Sequence, residues 1–278
     1  MPRPRTIASR LAPAAAVAAA AIALAGCSSG GADPAATETA SGGVTLEQVQ
    51  EAGTLVVGTE GTYSPFSFHE DGAGELIGYD VEIITAVAEE LGVEVEFQET
   101  QWDALFAALD SGRIDLIANQ VSITPERLER YEFSEPYTYS PGVLVVPEDS
   151  DIQSFDDLSG RVSAQSLTSN WAEVATEAGA QVEEVEGFAQ AAELLRAGRV
   201  DATVNDRLTF LDYETAQGGE TGLRVAAETE DTSENAFAFR AGSETLVAAI
   251  DEALASLAAD GTLAEISAQY FGEDVSQP

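Results

Sequence analysis

The chain contains no lysine, and in 278 residues it has one cysteine, one histidine and one methionine. A single cysteine excludes an internal disulfide and a thiolate metal cluster. A single histidine excludes a Ser-His-Asp triad, a Cys-His pair and a His-rich metal set. That histidine, His69, sits beside Glu70-Asp71-Gly72 and reads as a hairpin turn residue. Twelve cations, all arginine, stand against 49 Asp and Glu, for a net charge of −37. Without clustered positive charge there is no footprint for nucleic acid phosphates. Such a surface favours solubility and repels anionic polymers. The acidic runs at 148–157 and 228–234 lack EF-hand spacing, and no pair of acids is marked out for hydrolysis. No metal and no cofactor is expected.

Long apolar runs are also missing. Residues 11–25 form fifteen apolar residues behind Arg3, Arg5 and Arg10, short for a membrane span but suited to a signal peptide. Leu24-Ala25-Gly26-Cys27 resembles the lipobox of bacterial lipoproteins, which implies lipidation of Cys27 and a membrane anchor. Residues 1–26 are therefore expected to be removed, and 27–43, rich in Ser, Gly, Ala and Thr, to form a flexible tether. Removing 1–26 takes three arginines and no acids, leaving a net charge of about −40. About 235 residues follow the tether, enough for one large domain or two smaller ones.

Those residues alternate strand and helix. Leu55–Val57 reads as a strand entering the glycine-rich loop 58–66. Val81, Ile84, Val87 and Leu91 share a helical face that Gly92 ends, and Val93, Val95 and Phe97 alternate as a strand. Trp102 to Leu109 is predicted helical, with a strand from Ile114 to Ala118. Residues 102–119 (WDALFAALDSGRIDLIAN) align without a gap to 188–205 (FAQAAELLRAGRVDATVN). The second half thus repeats the first, and two α/β lobes with mostly parallel sheets flanked by helices are expected. Residues 243–271 read as two helices split at Gly261. Ligands of such sheets bind beyond the carboxyl ends of the strands. The loops there are 58–66, 119–127, 165–171 and 205–207.

The segment NQVSITPER (119–127) carries the chemistry. Thr124 followed by Pro125 reads as an N-cap with proline at the first helical position, which puts Arg127 in the first turn. A cation at the positive end of a helix dipole makes sense where an anion is to be held. Ser122 can assist. From the second half, Thr168-Ser169-Asn170 opens another helix, and Asp206 follows the predicted strand Val200 to Val204. One arginine subsite and one carboxylate subsite suit a zwitterion, although Thr124, Thr168 and Ser169 also read as plain caps and Asp206 as a surface acid.

Residues 54–272 resemble the solute-binding proteins of polar amino acid ABC transporters (family 3). The motifs are GTEGTYSPFSF (58–68), IGYDVEI (77–83), GRIDLIANQVSITPER (112–127), FSEPY (133–137), GRVDATVNDR (198–207) and DGTLAEISAQYFG (260–272). The resemblance implies a two-lobed type II periplasmic-binding-protein fold, with lobe one at 44–142 plus 237–278 and lobe two at 143–236. It further implies that Arg127 takes the ligand carboxylate, Asp206 its ammonium, with contacts at Ser122 and Ser169 and an aromatic lid from Tyr63. Glu60 falls where the family contacts the ligand side chain, and Trp102 reads either as a stacking partner or as a core anchor. Glu60 with Asp206 suits a ligand with two ammonium groups. The wording is most similar to cystine-binding members, yet a distal carboxylate of cystine finds only neutral Asn119 and Gln120 nearby. The alternatives are a receptor for basic amino acids and an enzyme resembling cyclohexadienyl dehydratases. The expected partners are an ABC permease and ATPase, the expected place is the outer face of the cytoplasmic membrane, and a monomer is expected.

Overall fold

The computed structural model describes residues 42–278; the signal segment and Cys27 lie outside the described residues. The first elements are α1 (Leu46–Ala52), β1 (Thr54–Thr59), the hairpin strands β2 (Thr62–Tyr63), β3 (Ser67–His69) and β4 (Leu76–Ile77), and α2 (Tyr79–Leu91). Next come β5 (Glu94–Glu99), α3 (Trp102–Asp110), β6 (Leu116–Ser122), α4 (Pro125–Leu128) and β7 (Tyr131–Phe133). The long strand β8 (Thr138–Pro147) leads to β9 (Val162–Gln165), α5 (Asn170–Glu177), β10 (Gln181–Glu184), α6 (Phe188–Arg196), β11 (Thr203–Asp206) and α7 (Arg207–Ala216). Strand β12 (Leu223–Arg240), 18 residues long, returns to α8 (Glu244–Asp260) and α9 (Thr262–Phe271).

The main sheet runs β11-β8-β12-β6-β1-β5, with β7 beside β12. Pairing within the strand–helix units is parallel, β1 with β5 and β6, and β9 with β10. The antiparallel ladders come from the hairpin and from β8 and β12, which lie side by side and carry the chain between the lobes. Each lobe has its own core. Leu55, Val57, Ile83, Ile84, Leu116, Phe237 and Ile250 pack in the first, and Val143, Val145, Ala164, Phe188, Leu195 and Phe210 in the second. Burying one such side chain stabilises by roughly 1.5–3 kcal/mol.

Why α2 forms where it does follows from its pattern. Val81, Ile83, Ile84, Val87 and Ala88 are buried, a broader face than the spacing alone predicts, while Leu91 is only half-buried. Gly92, at φ 73°, closes the helix by donating to Ala88 and Glu89.

The internal repeat has a structural cause. In both copies a left-handed glycine (Gly112, φ 70°; Gly198, φ 64°) ends the helix. The aspartate three residues on then clasps the neighbouring strand: Asp115 accepts from Val56 N–H at 2.9 Å, and Asp201 from Val162 N–H at 2.8 Å. Each aspartate also donates its own N–H back across, to the Val56 and Val162 carbonyls at 2.8 Å. Gly-Arg-x-Asp is therefore a helix-to-strand connector. Several boundaries differ from expectation because strand pairing extends further than hydrophobic alternation. Strand β6 runs on to Ser122, so Asn119, Gln120 and Ser122 are strand residues, and Asp206 ends β11 instead of following it.

Candidate functional site

The two lobes touch along both rims of the cleft. Tyr63 Oη donates to Asn205 Oδ1 and accepts from Thr209 Oγ1, both at 3.1 Å, and Ser64 Oγ donates to Asp212 Oδ2 at 2.9 Å. On the other rim Gln101 Nε2 donates to Glu186 at 2.6 Å, and Thr168 donates to Asp103 through its N–H at 2.9 Å and its hydroxyl at 2.6 Å. Between these contacts lies a small cavity of about 50 Å³, room for a few waters. All four strand-end segments reach it. Glu60 and Tyr63 come from the first, Asn119 and Gln120 from the second, Ser169, Asn170 and Trp171 from the third, and Asn205 from the fourth.

The repeat explains part of the lining. Both copies begin and end on the cavity, with Trp102 and Phe188 at the helix starts and Asn119 and Asn205 in the strands that follow. The sequence reading singled out only Trp102 and Asn119; the gapless alignment was the signal for Phe188 and Asn205.

Acids dominate the chemistry. Glu60 accepts from Asn119 Nδ2 at 2.7 Å, and burial pushes its carboxyl up to about 7 despite that bond. Asp206 is 2% exposed, caps α7 by accepting from Leu208 N–H at 2.8 Å, and accepts from Ser140 Oγ at 2.7 Å. Burial raises it to about 6. Burial also holds the Tyr63 phenol well above its ordinary value, with Asp206 and Glu60 adding to the effect. Asp206 lies behind Asn205 and is not among the residues lining the cavity.

Arg127 occupies an adjoining groove that shares Ser169 and Asn170 with the cavity and is also lined by Thr168. Its guanidinium stacks on Trp102 and Phe106, 5.3 and 5.4 Å from the ring centroids, and donates to the Ser122 carbonyl at 2.9 Å. It makes no ion pair among the described residues, and burial lowers it to about 10. Thr124 caps as expected, accepting from Arg127 N–H at 3.2 Å. The helix α4 is only four residues long, however, so its dipole is small and Arg127 stands in its first and last turn alike. The anion argument therefore rests on a half-buried guanidinium with no ion pair among the described residues, although Glu126 and Glu173 are near enough to raise it.

The remaining candidates divide. Ser122 is buried and donates to Asn235 at 2.9 Å, behind the cavity. Ser169 caps α5, accepting from Ala172 N–H at 3.1 Å, while also lining the cavity. Trp102 is both core anchor and cavity wall: it is 7% exposed, shares a core cluster with Leu105 and Ile114, and its indole N–H has no partner among the described residues. His69 is not a free turn residue, since it binds Glu99 at 2.8 Å and the Gly74 carbonyl at 2.9 Å.

Such a cavity could serve more than one function, and comparison with known proteins decides the family. Residues 55–273 match the model of the bacterial extracellular solute-binding proteins, family 3. The chain belongs to this family.

A probable amino-acid ABC transporter-binding protein of Haemophilus influenzae is 50% identical over 84% of this chain and 91% of its own length. The L-cystine-binding proteins TcyA of Bacillus subtilis and TcyJ of Escherichia coli are 47% and 40% identical, covering 92% and 84% of this chain and 94% and 88% of theirs. These relatives are binding proteins, and the family 3 chain described here is likewise not an enzyme. Among solved structures, the unliganded, open L-cystine receptor of Neisseria gonorrhoeae is 45% identical over 84% of this chain and 99% of its own, with a TM-score of 0.57. A histidine-bound receptor from Streptococcus pneumoniae, 32% identical over 84% of this chain and 98% of its own, superposes better, at 0.77. The more distant sequence superposes better, and in this family 3 chain the two rims are bonded to each other across the cleft.

Proposed function

We propose that this protein is the lipid-anchored receptor of an amino acid ABC importer and that its cavity takes L-cystine. The observation that carries the ligand class is a cavity walled by Glu60, with Asp206 just behind it, and lined by no cation. A half-buried Glu60 and a buried Asp206, neither in an ion pair among the described residues, are costly to ionise unless the guest brings ammonium groups. Glu60 and Asp206 receive them, and Asn119, Gln120 and the Trp102 indole offer neutral bonds. Arg127, with Thr168 and Ser169 beside it, takes a carboxylate from the adjoining groove, and Ser122 steadies it. Tyr63 forms the lid. The lobes are residues 44–142 with 237–278, and 143–236, and the ligand bridges them and shifts an open–closed equilibrium. Cys27 carries the lipid, holding a monomeric receptor at the outer face of the membrane for its permease and ATPase. The 40–47% identity to proteins named for L-cystine supports that choice.

A second reading, a receptor for basic amino acids, is favoured by the same acidity and by 36% identity to an ancestral arginine-binding protein. Calorimetric titration with L-cystine, arginine, histidine and glutamate separates the two. L-cystine is expected to bind most tightly. Tight arginine binding without cystine heat establishes the second reading, and preference for glutamate refutes both. Detergent phase partitioning of wild-type protein and Cys27→Ala, expressed in a bacterial host, tests the anchor.

A further inference from the structure

Gln120 is the one non-glycine residue among those described with a positive φ, 49°. Side-chain-bearing residues rarely adopt this backbone, and it persists only where the surroundings hold it. The holder is identifiable. Asp80, wholly buried at the second position of α2, accepts from Gln120 N–H at 2.7 Å and from Gln120 Nε2 at 2.6 Å. The same Nε2 reaches Thr138 Oγ1 at 3.1 Å. One carboxylate thus grips the backbone and the side chain of a single strained residue. No cation pairs with Asp80 among the described residues, so it is not half of a salt bridge.

The strain lies where the sheet register breaks. Ala236 of β12 pairs with Val121 and Ala238 with Ile117, so β6 carries two extra residues between them. That excursion includes Asn119 and Gln120, both in the cavity wall. Asn119 in turn holds Glu60 through two bonds, donating to its carboxylate at 2.7 Å and accepting from its N–H at 2.9 Å.

We propose that Asp80 is a positioning residue for ligand binding: by clasping Gln120 it keeps the β6 excursion in the left-handed turn that presents Asn119 and Gln120 to the ligand. This rests on the reading that the cavity takes the amino acid. A merely structural Asp80, filling space under α2, predicts a loss indifferent to residue 120. A positioning role predicts dependence on it, because glycine adopts a positive φ without strain.

The test uses Asp80→Asn, Gln120→Gly and the double variant. In the ligand-free protein, Asp80→Asn is expected to speed amide exchange at Gln120 by about tenfold or more, as read by NMR. It is also expected to weaken L-cystine binding by about tenfold or more in the Gln120 background, and by less than about threefold when residue 120 is glycine. Unchanged exchange at Gln120, or equal affinity losses in both backgrounds, overturns the proposal. Should Asp80→Asn fail to fold, the double variant is expected to recover folding, and its failure to do so also overturns the proposal. If wild type gives no heat with L-cystine, the ligand reading has failed, and exchange at Gln120 still decides what Asp80 does.

Discussion

Acidification from pH 8 to pH 5 should stabilise the ligand-free protein and weaken its grip on a cationic ligand, opposite trends with one origin. Burial raises Glu60 from 4.5 to about 7, Asp80 from 3.8 to about 7 and Asp206 from 3.8 to about 6. The unfolded chain keeps the ordinary values, so the folded state favours the protonated forms. The associated stability is fully present below about pH 4 and is lost as pH rises through 6 to 7. For Glu60 alone the change between pH 5 and 8 is roughly 2–3 kcal/mol. Asp80 and Asp206 feel each other's charge, so the three contributions do not simply add. A ligand ammonium reverses the preference by favouring the ionised carboxylate. If it returns Glu60 to an ordinary value, affinity at pH 5 falls roughly 70-fold below that at pH 8, and binding near neutrality releases a proton. Calorimetry from pH 5 to 8, in two buffers of different ionisation enthalpy, reads both affinity and proton count. Glu60→Gln should flatten most of the dependence. Affinity that is constant over this range, or that rises on acidification, refutes the idea that a buried acid meets the ligand's positive charge.

Other predictions are simpler. Arg127→Ala should weaken amino acid binding by about 100-fold or more, because a buried charge-assisted carboxylate contact is lost, while circular dichroism stays native; unchanged calorimetric affinity removes Arg127 from the site. Tyr63→Phe deletes the hydroxyl shared by Asn205 and Thr209 and should shift the ligand-free protein toward an open form, seen as a larger radius of gyration in solution scattering. Gly142 lies in the crossing strand β8 against the ring of Trp171, which a Cβ there would strike. Gly142→Ala should therefore cost about 1–3 kcal/mol in urea unfolding, and an unaltered midpoint contradicts that packing.

The alternation of apolar residues and the glycine stops were enough to read α2, α3, α8 and the two-lobe plan, because these are local consequences of which face must be buried and where a left-handed residue can end a helix. The repeat was legible for the same reason: the glycine and the aspartate of each connector act within one helix–strand unit. Strand ends were less legible. The extension of β6 through Ser122 depends on β12, more than a hundred residues away, and pairing at that range leaves no periodic mark.

Candidate residues followed the same division. Arg127 announces itself by its type in a helix first turn, whereas Glu60 and Tyr63 follow from the resemblance to family 3. Asp80 does not, because one more acid in a chain with 49 of them carries no local signal. Its role depends on a residue forty positions later being forced into a positive φ. The sequence by itself determined the acidic character, the repeated α/β units and which four segments reach the cleft. Only the tertiary structure decided which acids are withdrawn from solvent without an ion pair among the described residues. Burial and long-range register are properties of how the segments meet, not of any segment alone.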